Sequence, residues 1–267
     1  MAKFSCNFIS YTLKRTVDIT VVVPSVTIPE SMGLGAKEGE KPNCKHARAD
    51  KYPVMYLLHG FGNNHATWTG YTNVELYAEE RNIAVVMISA ENKSYVNLLE
   101  DYFYDFIENE LPDFVCGMFP ISEKAEDTFI AGLSMGGFGS LVHGLNNPEK
   151  FAAIGAFSPA VAINPAAILS GKEEMLNPKY DPSTIAKKQN DAGKKLPPIY
   201  LACGNEDFLY DSNVAFKDEI LAMGQKLDWD MMEGYGHEWR FWDIQVEKYL
   251  DWIPRTDSYA QVGNRKI

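Results

Sequence analysis

Hydrophobic residues along this chain form short continuous runs that alternate with longer amphipathic stretches. The runs are rich in valine, isoleucine and alanine, and they predict strands at 15–24, 54–58, 83–89, 128–133, 152–157, 199–203 and 226–232. Because the runs are continuous, they indicate strands of a parallel sheet that is buried on both faces.

The amphipathic stretches carry apolar residues at helical spacing. They predict helices at 73–81, 100–115, 135–145, 212–223 and 239–252, with Ser212 or Asp211 as the N-cap of the fourth. Alternating strands and helices predict the α/β class, with helices on both faces of a mostly parallel central sheet. Right-handed crossovers then place every strand-to-helix loop along one edge of the sheet, where such proteins build their sites.

Three segments interrupt this alternation within what we expect to be one domain over residues 1–267. The polar stretch 29–52 is interpreted as a surface loop. The longer stretch 159–198 is interpreted as a lid-like insertion over the site, with an ordinary helical excursion as the alternative. The polar tail 254–267 is expected to be flexible.

Composition and charge argue against several functional classes, namely nucleic-acid-binding, metal-binding and membrane proteins. Hydrophobic residues make up 46% and charged residues 23% of the 267 positions, and the net charge is −11. Such an acidic chain is a poor candidate for nucleic-acid binding. The four cysteines, Cys6, Cys44, Cys116 and Cys203, lack metal-ligand spacing, so no metal site is predicted. With no apolar signal segment or membrane-length run, we expect a reduced, cytoplasmic protein without a membrane partner.

One motif points to nucleophilic chemistry. Residues 132–136, GLSMG, match G-x-S-x-G between an apolar strand and a helix that begins with small residues. This arrangement is typical of the nucleophile elbow of the α/β-hydrolase fold, in which a sharp turn exposes the serine. Side chains two positions before and after the serine would collide, so glycine is needed at both. We therefore predict Ser134 as a nucleophile.

A serine hydroxyl needs a base to take its proton. In this fold the chain order is serine, acid, histidine, which leaves His143 and His237. His143 lies too far along the helix after Ser134 to turn back to it. His237 lies in a glycine-rich loop after the last strand, at the same sheet edge as Ser134, and is the predicted base.

The acid that orients the base is expected after the preceding strand. Residues 204–209, GNEDFL, supply Asp207 as the first choice and Glu206 as the alternative. Asp211 is interpreted instead as a helix cap.

Two backbone N–H groups are needed to hold the oxyanion that forms on the attacked carbonyl. Met135, at the start of the helix, supplies one. Phe61, in the sequence HGFG after the second predicted strand, supplies the other, and His59 is expected to brace that loop by hydrogen bonding. Trp68, Phe138 and Trp239 are candidate pocket residues, with core packing as the equal alternative.

The chain resembles the tributyrin esterase branch of the esterase D family, which also contains feruloyl esterases and S-formylglutathione hydrolases. The resemblance runs from about residue 8 to residue 252, through YLLHGF at 56–61 with Trp68, AGLSMGG at 131–137, CGNEDFL at 203–209 and GHEW at 236–239. It implies Ser134, Asp207 and His237 as a catalytic triad, and Phe61 and Met135 as the oxyanion hole. It also implies homo-oligomers, and activity without a cofactor.

The predicted function is ester hydrolysis through an acyl-enzyme intermediate, and the resemblance implies short-chain acyl or aryl esters as the small-molecule substrates. A feruloyl or cinnamoyl esterase is the near alternative, and an acyltransferase on the same scaffold is the alternative from another class.

Overall fold

The structure, a computed structural model, describes residues 1–32, 51–161, 178–255 and 257. The strands are β1 (Ala2–Ser10), β2 (Arg15–Val23), β3 (Val54–Leu58), β4 (Ala84–Ile88), β5 (Asn97–Leu98), β6 (Asp101–Tyr102), β7 (Thr128–Leu133), β8 (Ala153–Phe157), β9 (Ile199–Gly204) and β10 (Leu227–Met232). The α-helices within the described residues are α1 (Ile28–Ser31), α2 (Thr67–Tyr71), α3 (Val74–Glu80), α4 (Phe103–Asp105), α5 (Leu111–Met118), α6 (Met135–Asn146), α7 (Pro182–Asp191), α8 (Tyr210–Ala222) and α9 (Trp239–Trp252).

Eight of these strands form one sheet, in the order β1-β2-β4-β3-β7-β8-β9-β10. From β4 to β10 all neighbouring strands are parallel, whereas β2 is antiparallel to both β1 and β4. The predicted mostly parallel sheet is thus confirmed, and its carboxyl edge collects the loops after β3, β7, β8 and β9.

The central strands are buried on both faces, as their continuous apolar runs predict. In β3, Val54, Tyr56 and Leu58 face one hydrophobic core, while Met55 and Leu57 face the other. Residues of α4 to α8 pack in the first core, and residues of α2, α3 and α9 in the second. Helices therefore cover both faces of the sheet.

Several details differ from the sequence prediction. The antiparallel edge strand β1 was not predicted, because its alternating exposure gives no continuous apolar run. The predicted helix 100–115 begins instead at Phe103, after the small β5–β6 hairpin, and contains a π-helix at Phe106–Glu110 before α5. The predicted N-cap of α8 is wrong: Leu209 occupies that position without a side-chain cap, and Asp211 lies in the first turn.

The predicted lid lies partly outside the described residues, which omit 162–177, so its closure stays a prediction. The described remainder includes α7, which packs against the end of α6. Gln189 donates hydrogen bonds to the carbonyls of Leu145 (3.1 Å) and Asn146 (2.9 Å), the last residues of α6. This helix belongs to the body of the domain rather than to a cover over the site.

The predicted loop 29–52 and tail 254–267 are also only partly described. Residues 33–50 lie outside the described part, and at its end Tyr52 forms an isolated bridge with Ile121. Of the tail, residues 254, 255 and 257 are described, and Arg255 donates to the carbonyl of Arg81 at 2.7 Å. Among the helices in the described ranges, none is long and apolar enough to cross a membrane.

Glu110, in the π-helix, anchors the turn between β1 and β2. Its buried carboxylate accepts hydrogen bonds from Ser10 Oγ (2.7 Å) and from the N–H groups of Tyr11 and Thr12 (2.9 Å each). Burial alone would raise the pKa of Glu110, but these bonds outweigh it and hold the pKa below its usual value. The carboxylate is therefore ionised at neutral pH.

Replacing Glu110 with glutamine is expected to lower the free energy of unfolding by about 1–3 kcal/mol, because buried donors lose a charged acceptor. Urea unfolding at pH 7 measures this change. The matched substitution Glu126→Gln, at an exposed position, should stay within about 0.5 kcal/mol of the parent protein. Equal effects from the two substitutions would contradict the anchoring role.

Candidate active site

Ser134 lies at the sharp turn between β7 and α6. Its φ of +52° and ψ of −114° are unfavourable for a residue with a side chain. The backbone around it is held from both sides, since Ser134 N–H donates to the Phe157 carbonyl at 2.9 Å and Ala160 N–H donates to the Ser134 carbonyl at 3.2 Å. Hydrogen bonds to the end of β8 and to the segment just after it thus hold a strained turn in place.

The two glycines of the motif are required by close backbone contact. A Cβ atom on Gly132 would lie 2.4 Å from the carbonyl oxygen of Gly136, and a Cβ on Gly136 would lie 2.4 Å from the carbonyl oxygen of Leu58. Helix α6 therefore starts directly against the ends of β7 and β3, with no space for a methyl group.

Asp207 and His237, from two different loops, are in contact. His237 Nδ1 lies 2.8 Å from Asp207 Oδ2, and the second carboxylate oxygen accepts the N–H of Leu209 at 2.9 Å. Glu206, the alternative acid, is exposed to solvent. The geometry thus favours Asp207 over Glu206 as the group that orients the imidazole.

The Asp207 carboxylate is only 4% exposed. Burial raises its pKa, but the hydrogen bond to His237, the Leu209 N–H and the nearby Ser158 hydroxyl outweigh burial and bring the pKa below its usual value. An ionised carboxylate at His237 Nδ1 favours a proton on that nitrogen, which leaves Nε2 as the nitrogen that can accept a proton.

The Ser134 hydroxyl makes no hydrogen bond, to His237 or to any other described group. The structure therefore brings acid and base into contact at the sheet edge where Ser134 also lies, without a hydrogen bond between Ser134 and His237. Such contacts are often long before substrate binds.

A second close backbone contact holds the acid and base loops together. A Cβ on Gly204, the last residue of β9, would lie 2.0 Å from the carbonyl oxygen of Tyr235. Glu206 N–H donates to that same Tyr235 carbonyl at 3.1 Å, and the Asn205 side chain accepts the N–H of Gly234 at 2.8 Å. The loop that carries His237 is thus attached directly to the loop that carries Asp207.

The predicted oxyanion loop lies beside Ser134. A Cβ on Gly60 would be 3.6 Å from Ser134 Cβ, which places the Gly60–Phe61 turn next to the nucleophile. Met135 is buried at the first position of α6, so its N–H belongs to the helix N-terminus. Both predicted donors therefore lie at the carboxyl edge of the sheet, next to Ser134.

His59 is buried beneath this loop and has two partners. Its Nε2 accepts the N–H of Ala90 at 3.0 Å, so its Nδ1 carries the proton and donates to the Gly60 carbonyl at 2.7 Å. Tyr95, itself at φ +62°, donates its hydroxyl to the His59 carbonyl at 2.7 Å. These bonds fix the backbone just before Phe61.

Comparison with known proteins identifies the family of this chain. Residues 42–255 match the profile of the family described as "Putative esterase". The chain belongs to this family. It is also 28% identical over 278 residues to an acetyl esterase of Caldicellulosiruptor saccharolyticus, covering 97% of this chain and 100% of that protein.

Two solved structures of Staphylococcus aureus are similar along nearly their whole length. One is a substrate-bound fluorophosphonate-binding serine hydrolase, FphF (TM-score 0.80, 27% identity, 94% of this chain and 97% of that one). The other is an S-formylglutathione hydrolase, FrmB (TM-score 0.78, 26% identity, 94% and 98%). The chain is accordingly an ester-hydrolysing enzyme of the α/β-hydrolase fold, as the sequence predicted.

The three candidate pocket residues of the esterase have different positions. Trp68 is fully buried, and its indole N–H donates to the Leu58 carbonyl at 3.0 Å. Phe138 is 3% exposed and lies in the opposite core. Trp239 is half-buried, and its ring stacks on the exposed ring of Tyr71 at 4.9 Å. Core packing therefore explains Trp68 and Phe138, and Trp239 alone keeps a partly accessible ring.

Sequence reasoning missed two supporting residues of the esterase site. Ser158 follows β8 at φ +45°, is fully buried, and accepts a long hydrogen bond of 3.4 Å from the indole N–H of Trp242. The sequence feature that could have identified Ser158 is its position at the end of a parallel strand, just before a proline. Tyr95 lies in an irregular loop and carried no sequence signal.

Gly204→Ala is expected to lower kcat by about 10²-fold or more, because the new methyl group displaces the loop that carries His237 from Asp207. Steady-state hydrolysis of p-nitrophenyl acetate measures the change. Gly236→Ala is the matched control, since a Cβ there meets only the Glu206 carbonyl at 3.8 Å, an ordinary contact. Equal losses of kcat in both variants would show that the close contact between Gly204 and the Tyr235 carbonyl has no specific role.

Burial lowers the pKa of His59 from 6.5 to about 4. Between these two pH values the unfolded chain binds a proton that the folded enzyme does not. The free energy of unfolding should therefore fall as the pH drops through this window, by up to about 1.4 kcal/mol per pH unit. Urea unfolding of the parent protein and of His59→Asn checks this. The variant should lose that part of the pH dependence, whereas His65→Asn should keep most of it, because the nearby His65 contributes least to the lowered pKa of His59.

Proposed function

We propose that the enzyme hydrolyses short-chain acyl or aryl esters through an acyl-enzyme intermediate on Ser134, with His237 as general base and Asp207 as its orienting acid. The contact between His237 Nδ1 and the buried Asp207 carboxylate, at the same sheet edge as the strained Ser134, carries this proposal. The similarity to serine hydrolases supports it.

In the first step, the Ser134 oxygen attacks the ester carbonyl while His237 Nε2 takes the hydroxyl proton. The carbonyl oxygen becomes an oxyanion, which the N–H groups of Phe61 and Met135 stabilise. Loss of one such donor typically costs about 10²–10³ in rate. The tetrahedral intermediate then collapses, the bond to the alcohol oxygen breaks, and His237 gives its proton to that oxygen. The alcohol leaves, and the acyl group stays on Ser134.

In the second step, water takes the place of the alcohol. The water oxygen attacks the acyl-enzyme carbonyl while His237 accepts a proton from the water. His237 then returns that proton to the Ser134 oxygen as the carboxylic acid leaves. Throughout, the ionised Asp207 stabilises the imidazolium that forms on His237.

The proposed substrate class is a small acetyl or similar short acyl ester. The whole-length similarity to an acetyl esterase supports this choice. Tributyrin, feruloyl and S-formylglutathione esters are neighbouring possibilities within the same chemistry. Transfer of the acyl group to an alcohol other than water is the alternative reaction.

The proposed location is the cytoplasm, and the proposed partner is a small-molecule ester rather than a nucleic acid or a membrane. Cys6, Cys116 and Cys203 are free thiols, which suits a reducing compartment. A homo-oligomer stays a prediction, which light scattering of the purified protein measures directly.

Ser134→Ala is expected to reduce turnover of p-nitrophenyl acetate by about 10³-fold or more, because the nucleophile is lost while substrate binding remains. Labelling of intact protein by a fluorophosphonate, read by mass spectrometry, should disappear in the same variant. Ser183→Ala, on the distant helix α7, is the control and should behave as the parent protein. Undiminished turnover or labelling in Ser134→Ala would refute the proposed nucleophile.

An ester panel tests the substrate class separately. We expect kcat/KM to be highest for p-nitrophenyl acetate, to fall with acyl length through butyrate and octanoate, and to be low for methyl ferulate and S-formylglutathione. A preference for methyl ferulate would identify a feruloyl esterase instead. Product analysis with an added alcohol acceptor distinguishes hydrolysis from acyl transfer.

A further inference from the structure

A cavity of about 570 Å³ lies away from Ser134. It is lined by Thr128, the first residue of β7, whereas Ser134 follows the last residue of that strand. Six strand residues span about 20 Å. The cavity thus opens at the amino edge of the sheet, and the reaction at Ser134 does not use it. Its volume suits a small organic molecule.

The inner wall of the cavity is mainly apolar. It includes Ile107 and Pro112 from the helical segment after β6, Phe151 from the loop before β8, and Ile130 from β7. Tyr56 of β3, which pairs in register with Ile130, completes this wall. A ligand that fills the cavity would therefore place an apolar body against these residues.

The Tyr56 hydroxyl is the unusual polar group of this wall. The residue is only 5% exposed, its hydroxyl is open to the cavity rather than sealed in the core, and no other described residue forms a hydrogen bond with it. Because Tyr56 lines the cavity, a molecule inside the cavity is the group that can supply a hydrogen-bond partner.

The charges around the cavity are mostly negative. Glu108, Asp113, Glu123 and Glu149 line it, against a single cationic lining residue, Lys150. Lys150 is already paired, with its Nζ 2.9 Å from a carboxylate oxygen of Glu108. Glu123 is paired with Lys51 at 3.0 Å.

Asp113 and Glu149 remain as exposed carboxylates without an ion-pair partner among the described residues. They favour a positively charged ligand and disfavour an anion. The described residues contain no group of three or more histidine, cysteine or carboxylate side chains that could hold a metal ion. An organic cation fits this combination of an apolar wall and scattered carboxylates better than a metal does.

We propose that this cavity is a binding site for a small organic ammonium compound. Its apolar body packs against Ile107, Ile130 and Phe151, a polar group of the ligand pairs with the Tyr56 hydroxyl, and the ammonium group lies at the mouth lined by Asp113 and Glu149. The site is separate from the ester-hydrolysing centre and does not depend on the reaction proposed for it.

Calorimetric titration of the full-length protein tests the proposal with three probes that share a phenyl ring on a two-carbon chain and differ in charge. The probes are phenethylammonium, neutral 2-phenylethanol and anionic phenylacetate. We expect phenethylammonium to bind, the alcohol to bind at least about fivefold more weakly, and the anion to give no measurable binding, because only the ammonium gains from the carboxylates. Equal affinity for the three probes, or no binding of phenethylammonium, would overturn the proposal.

Variants locate the binding. Asp113→Asn and Glu149→Gln remove charge from exposed positions and should each weaken phenethylammonium binding about three- to tenfold, whereas Glu219→Gln, an exposed change on α8, should leave it unchanged. Tyr56→Phe should weaken binding while leaving the apolar wall intact.

Covalent modification of Ser134 by a fluorophosphonate separates this cavity from the active site. Binding should persist in the modified enzyme with the same affinity. Loss of binding after modification, or unchanged affinity in both Asp113→Asn and Glu149→Gln, would assign the ligand elsewhere and refute the site.

Discussion

The candidate active site depends on one close backbone contact, where α6 begins against the ends of β3 and β7. A Cβ on Gly136 would lie 2.4 Å from the Leu58 carbonyl oxygen, and one on Gly132 would lie equally close to the Gly136 carbonyl. This approach holds Ser134 in an unfavourable conformation and brings the loop after β3 beside it. These close contacts act together with the hydrogen bonds from Ser134 N–H to the Phe157 carbonyl and from Ala160 N–H to the Ser134 carbonyl to hold the strained turn.

The loops that carry Asp207 and His237 are likewise held together by a close backbone contact. Gly204 lets the Tyr235 carbonyl pass over the end of β9, and hydrogen bonds from Glu206 N–H and to Asn205 Oδ1 then join the two loops. Because these loops meet through their backbones, the distance from Asp207 to His237 is set independently of the lengths of the helices between them. Parallel strands bring both halves to one edge of the sheet.

The sequence by itself determined the fold class and the central strands, and it predicted the candidate residues of the site. Continuous apolar runs identified the buried parallel strands, because a strand covered on both faces has no polar side. The GLSMG motif identified Ser134, because only glycine fits where two backbones touch. Chain order, with the position of His143 along its helix, then favoured His237 as the base, while Asp207 stayed the first choice and Glu206 the alternative for the acid. These inferences depend on local sequence or on the order of elements along the chain. Both are properties of the sequence and do not require that distant segments pack together.

Only the tertiary structure decided the burial, contacts and roles that depend on residues distant in the sequence. It chose Asp207 over Glu206 by burial, placed Trp68 in the core, and showed that Ser158 lies beside the acid. It also corrected the cap of α8, where Leu209 replaces the expected polar residue. Burial, hydrogen-bond partners and cavities arise only when separate segments pack together, so no local pattern encodes them.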